Sequence, residues 1–276
     1  MSEGRVLVMG ILNLTSDSFH AQTRTPDLTT ALARARALVD EGADIVDVGG
    51  ESTRPGAVPV AAADEAARVV PVVRTLAATF PGLVISVDTT KASVAGEALR
   101  AGATIVNDVS GGRLDPAMAG LVASQGAEVV LGHMRGTPAT MQNAPRYDDA
   151  VAEVASELGA AVDAFVMAGV SRERIWVDPG FGFGKRLADN LALLADLGRF
   201  RGLGRGVVVG LSRKRFLGDL IRPGASSEPE ERLAGSLAAA VIAAMKGASV
   251  VRTHDVRATR EALAVVAAIA PCGAGA

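Results

Sequence analysis

VISVDTTKASVAGEALRAGATIVND, residues Val84–Asp108, holds the unit from which the fold is read. Val84–Asp88 is a short apolar run that ends in a carboxylate. Ala92–Ala101 has the Ala, Leu, Glu and Arg content and the 3.6-residue apolar spacing of an amphipathic helix. Gly102 stands where a left-handed residue closes a helix, and Thr104–Asp108 opens a second apolar run. Both runs are continuous rather than alternating, as parallel strands buried on both faces require.

Moving outward in both directions, the same unit recurs. Further strand candidates are Val6–Asn13, Ile45–Gly49, Glu128–His133, Ile175–Asp178, Val207–Leu211 and Ser249–His254. Helical spacing marks Leu28–Glu41, Asp64–Ala78, Asp148–Ala168 and Glu231–Lys246, with Gly42, Gly126, Gly169 and Gly247 as further caps. Eight strand–helix units in strict alternation point to an α/β fold closed as a (β/α)8 TIM barrel. A doubly wound open sheet shares this grammar. Its dinucleotide-binding version carries Gly-x-Gly-x-x-Gly after the first strand, which does not follow Val6–Asn13. The 276 residues suit one barrel, typically of about 250. No linker divides them, so residues 1–276 are expected to form a single domain.

A net charge of −2 gives no electrostatic footprint for nucleic acid or an anionic membrane. Apolar stretches such as Leu237–Met245 fall short of the roughly 20 residues a bilayer needs. Val6–Met9 reads as a first strand, not a signal peptide. The lone Cys272 excludes an internal disulfide, no Cys/His group has zinc spacing, and a cytoplasmic location is expected. Lysine is scarce, with four against 24 arginines, yet Lys91, Lys185 and Lys214 each closely follow a strand.

Polar residues gather at strand C-termini: Asn13, Asp47 with Glu51–Arg54, Asp88, Asn107-Asp108, His133–Arg135, Asp178, Ser212–Lys214 and Arg252–His254. In a barrel these ends share one rim, where barrel active sites lie. Asp178 can accept two parallel hydrogen bonds from a guanine-like heterocycle edge, and Asn107 offers both donor and acceptor. Lys214 can donate to a ring carbonyl, while Asp88 can serve further ring donors. Loop capping is the competing role for Asp88 and Asp178. Arg252 and His254 alternate on one side of the last strand and form a candidate anion site, and Arg252 can also stack on a flat ring. Gly180–Lys185 fails the phosphate-loop spacing, because Pro179 and Arg186 stand where Gly and Ser/Thr are required.

Met9–Phe19 and Asp47–Gly56 resemble the two signature loops of the dihydropteroate synthase family. Val87–Lys91, Asn107–Val109, Asp178–Lys185, Ser212–Lys214 and Arg252–His254 follow in that family's order, over about residues 6–265. The resemblance implies condensation of a pterin diphosphate with p-aminobenzoate, giving dihydropteroate and diphosphate, by a homodimeric enzyme. It implies Mg²⁺ held by Asn13 and the diphosphate. Asp17 and Phe19 match a first lid over Asn13–Thr25, and Thr53, Arg54 and Pro55 match a second lid over Gly50–Val58. It also implies that Met134, Ser212 and Phe183 contact substrate; a buried ring around which the glycines turn is the other reading of Phe183. The electron-rich pterin permits a dissociative displacement, consistent with the missing nucleophile–base pair. The first lid departs from the family pattern at Ser16 and at His20–Thr23. A pterin-dependent methyltransferase should lack Glu51–Gly56, a non-catalytic pterin binder is the alternative that the altered lid keeps open, and a Schiff-base role for Lys214 lacks an acid–base relay.

Overall fold

Every strand run carries β-branched residues, and the structure shows what each face meets. The computed structural model describes residues 5–14, 28–54, 56–225 and 227–269. Asp17, Phe19, Ser16, His20–Thr23, Pro55 and Cys272 lie outside these residues. β1 (Leu7–Asn13), β2 (Ile45–Gly49), β3 (Val84–Asp88), β4 (Ile105–Asp108), β5 (Glu128–Gly132), β6 (Ile175–Asp178), β7 (Gly206–Gly210) and β8 (Val250–Thr253) close in chain order, with β1 paired parallel to both β2 and β8. Around them run α1 (Leu28–Asp40), α2 (Ala62–Thr79), α3 (Ala92–Ala101), α4 (Met118–Gln125), α5 (Ala150–Met167), α6 (Leu187–Ala195), α7 (Arg215–Ile221), α8 (Leu233–Met245) and α9 (Val256–Ile269).

Val8, Val46, Ile85, Val106, Val129 and Val177 pack with buried helix residues such as Leu38, Val73 and Leu158 in the outer core. Their alternates Met9, Ile45, Ile105, Val130, Trp176 and Val208 form a separate cluster inside the barrel. Because strand side chains alternate, the next inward residues toward the C-terminal rim are Ile11, Asp47, Ser86, Asn107, Asp178 and Arg252. One barrel interior is thus apolar below and polar above. At the lower end Trp176 Nε1 donates to Glu128 Oε2 (2.7 Å), and the Arg205 guanidinium lies 4.8 Å over the indole.

The expected caps hold: Gly42, Gly102, Gly126, Gly169 and Gly247 all have positive φ. The last and first strand residues shift by one in several places. β5 ends at Gly132, although the His133 N–H still donates to Asp178 O of β6 (3.0 Å) while its ring contacts Glu157 and Lys185.

Candidate active site

A cleft of about 880 Å³ opens at the C-terminal rim, lined by Asn13, Asp88, Asn107, Asp178, Lys214 and Arg252 among others. Its floor is one hydrogen-bonded cluster. Arg252 Nε donates to Asp47 Oδ2 (2.6 Å), and its Nη2 donates to Asp88 Oδ2 (2.7 Å). Asn107 Nδ2 donates to the same Asp47 oxygen (3.0 Å). Burial pushes the Asp88 carboxyl up to about 7 against the pull of Arg252, with Asp47 and Glu65 adding to the rise. Burial also works against the Arg252 charge, but Asp47 and Asp88 outweigh it and hold the guanidinium protonated.

The far wall is the loop after β6. Asp178 Oδ1 accepts from Gly180 N (2.7 Å), so capping takes one carboxylate oxygen and leaves the other for the cleft. Burial raises the Asp178 carboxyl, and the Gly180 N–H and Lys214 oppose it. Lys214 Nζ sits 4.0 Å over the Phe183 ring, and burial draws this amine down to about 8 against Asp178. Lys185 is buried beneath the loop. Its Nζ donates to Gly180 O (2.9 Å), Phe183 O (3.1 Å) and His133 O (3.3 Å) and contacts His133 Nδ1 (2.9 Å). That contact assigns the imidazole proton to Nε2, 3.0 Å from Glu157 Oε2. Gly180 is obligatory: φ is 70°, and a Cβ would stand 1.9 Å from His133 O.

The near side is built from the loop after β2. Glu51 accepts from Lys91, which also pairs with fully buried Glu65, while Glu51 Oε1 accepts from Val60 N (3.1 Å). This strap draws the two ends of the loop together and leaves Thr53 and Arg54 on the cleft. Gly56 N donates to Pro138 O (3.0 Å), tying the loop to the segment after β5. Ser212 Oγ accepts from His254 N (3.2 Å) and lies 3.0 Å from His254 Nδ1. A hydroxyl that takes the backbone donor can give its own proton to Nδ1, so His254 carries hydrogen on Nε2. Burial, then Arg252 and Arg213, hold His254 neutral by drawing it down to about 3.

The model of the pterin binding enzyme family matches residues 9–254. The chain belongs to that family. As a pterin binding enzyme it is 49% identical over 271 residues to the dihydropteroate synthase of Mycobacterium leprae (strain TN), covering 97% of this chain and 95% of that one. The Xanthomonas albilineans dihydropteroate synthase with 4-aminobenzoic acid superimposes with a TM-score of 0.89 at 47% identity, covering 97% of this chain and 94% of that one. Its complex with 7,8-dihydropteroate gives 0.86 at 43%, covering 98% and 95%.

In this pterin binding enzyme the cleft gathers Asn13, Thr53, Arg54, Asp88, Asn107, Asp178, Phe183, Ser212, Lys214, Arg252 and His254. Met134 is the exception. It is 1% exposed and does not line the cleft, and Arg113 takes its carbonyl. The expected Arg252–His254 anion site is also changed. Arg252 reaches across the barrel to two carboxylates, and His254 is uncharged. Sequence reasoning missed Glu65 and Glu157 as parts of this construction, and it placed Asp47 at the rim without its contact to Arg252. Lysine scarcity was the one signal that pointed to Lys91 and Lys185.

Proposed function

We propose that the protein displaces diphosphate from the methylene of a pterin with the amine of p-aminobenzoate, forming dihydropteroate. One observation carries this reading: the deep end of the cleft offers acceptors at Asp178 and Asn107 and a donor at Lys214, the complement of a pterin's amino, N–H and carbonyl edge. Arg252 is held by its edge, since hydrogen bonds to guanidinium lie in its plane, so its flat face is free to cover the ring. The loop after β2 offers Thr53 and Arg54 to the second substrate, with Ser212 across from them.

In the reaction the methylene C–O bond breaks, its electron pair leaves with diphosphate, and the aniline nitrogen forms the new C–N bond. The amine proton passes to solvent or the leaving group, so no protein nucleophile is needed. Arg54 and the Nε2–H of His254 are suited to hold the departing diphosphate, and the fixed donors act as charge develops. No group of three or more acidic, His or Cys side chains among the described residues can enclose a metal, and Asn13 offers a single hard oxygen at the rim. That donor set fits Mg²⁺ bound by Asn13 together with substrate oxygens, where it would neutralise leaving-group charge. The exposed apolar residues Ile242, Met245, Val265 and Ile269 on α8 and α9 support a homodimer. A cytoplasmic location is part of this proposal, resting on the lone Cys272; separately, no helix among the described residues is long and apolar enough to cross a membrane.

Diphosphate release measured with and without p-aminobenzoate tests the reaction. Release that requires the amine supports it; pterin binding with no release in either case leaves a non-catalytic binder. A second expectation concerns pH. Free Lys214 loses its proton near pH 8, and only the ammonium donates to a carbonyl, so pterin-analogue affinity should fall as pH rises through that value. Calorimetry between about pH 6.5 and about 9.5 on wild type and Lys214→Met cancels the ligand's own ionisation. Parallel pH profiles for the two proteins would remove Lys214 from the carbonyl contact.

A further inference from the structure

Asp47 does not line the cleft, yet it touches two residues that do. Its side chain is fully buried, and β2 holds it between β1 and β3, paired with Ile11 and Ser86. One oxygen, Oδ2, accepts from both Arg252 Nε (2.6 Å) and Asn107 Nδ2 (3.0 Å). The other, Oδ1, is buried without a hydrogen-bond partner among the described residues. A buried carboxylate this sparsely satisfied is costly unless its contacts are needed.

Two consequences follow from the geometry. Turning the Asn107 amide over would set its oxygen against the Asp47 carboxylate, acceptor to acceptor. Asp47 therefore decides that Asn107 gives its carbonyl oxygen to the ligand. Arg252 is the second case. Its Nη2 shares Asp88 with any ring donor that Asp88 receives, so that bond is contested on binding. The Nε bond to Asp47 lies below the ligand and is not contested. We infer that Asp47 is a positioning residue for pterin selection, setting the Asn107 amide and acting as the fixed pivot of Arg252. This inference rests on the pterin reading given above.

Asp47→Asn keeps the shape but removes the charge that grips Arg252. We expect 6-hydroxymethylpterin to bind about tenfold more weakly, with the circular dichroism melt little changed. In an Arg252→Met background the same substitution should cost about threefold or less, because part of its route of action is gone. An equal loss in both backgrounds, or no loss in either, overturns the inference. Should Asp47→Asn fold poorly, the wild-type protein still decides. The Arg252 Nε–H resonance should be protected from exchange both free and with the pterin bound, and loss of protection on binding overturns the pivot. If wild type does not bind the pterin at all, the functional reading fails instead, while the resonance of the free protein still tests the Asp47 contact.

Discussion

Asp178→Asn is expected to weaken pterin binding by at least about a hundredfold, about 2.7 kcal/mol, and to leave the barrel folded. In the native protein Oδ1 takes the Gly180 N–H at 2.7 Å and the other oxygen faces the cleft. An amide has only one oxygen. If that oxygen keeps the Gly180 donor, the NH₂ group confronts the pterin donors. If it turns to the ligand, the NH₂ group confronts the Gly180 N–H and the turn that shapes the loop is lost. Both arrangements leave a buried donor unpaired, at about 1–3 kcal/mol each, and the first also loses a charge-assisted contact. Calorimetric titration with a pterin analogue measures the effect, and unchanged affinity would take Asp178 out of recognition.

Lys185→Met should be nearly as damaging, through the loop that the buried amine holds. Its Nζ serves three carbonyl oxygens, those of Gly180, Phe183 and His133. Methionine fills the space and supplies no donor, so Phe183 O, His133 O and His133 Nδ1 lose this partner while Gly180 O keeps only the Phe183 N–H (3.1 Å), at about 1–3 kcal/mol for each buried acceptor left unpaired. Burial draws this amine down to about 7, which means the native protein already bears a cost to keep it there. The loop that sets Phe183 beneath Lys214 should then lose its geometry. We expect kcat/KM to fall at least about a hundredfold, a loss near 2.7 kcal/mol. A variant with near-normal kcat/KM would show that the loop holds its shape through Asn190, which binds the Gly182 N–H at 2.7 Å.

Much of this architecture was legible before any coordinates. Ile45–Gly49, Val84–Asp88 and Ile175–Asp178 are strands to the residue, because continuous β-branched runs closed by Gly or Asp leave little choice. The rim residues could be read for the same reason. In a closed parallel barrel the end of a strand is a known place, so Asp88, Asn107 and Asp178 were located by position alone. What could not be read was orientation. The Arg252–Asp47 contact spans 205 residues, and no local pattern says that an arginine reaches across the barrel instead of standing beside its neighbour. Short helices such as Arg215–Ile221 carry too few turns for periodicity to register. Met134 was placed at the cleft by the family resemblance, and its side chain is buried.

Three of the four lysines are engaged or enclosed: Lys91 between two carboxylates, Lys185 under its loop, Lys214 inside the cleft. Lys246 alone is exposed, at the C-terminal end of α8, next to the start of β8 and so on the face opposite the cleft. Amine-directed chemistry on the side chains of the folded protein therefore has Lys246 as its one exposed lysine. A surface activated for lysine coupling should capture the molecule by its closed end, with every cleft facing the solution. Immobilisation at random orientation, the usual fate of an enzyme studded with lysines, is something this composition works against.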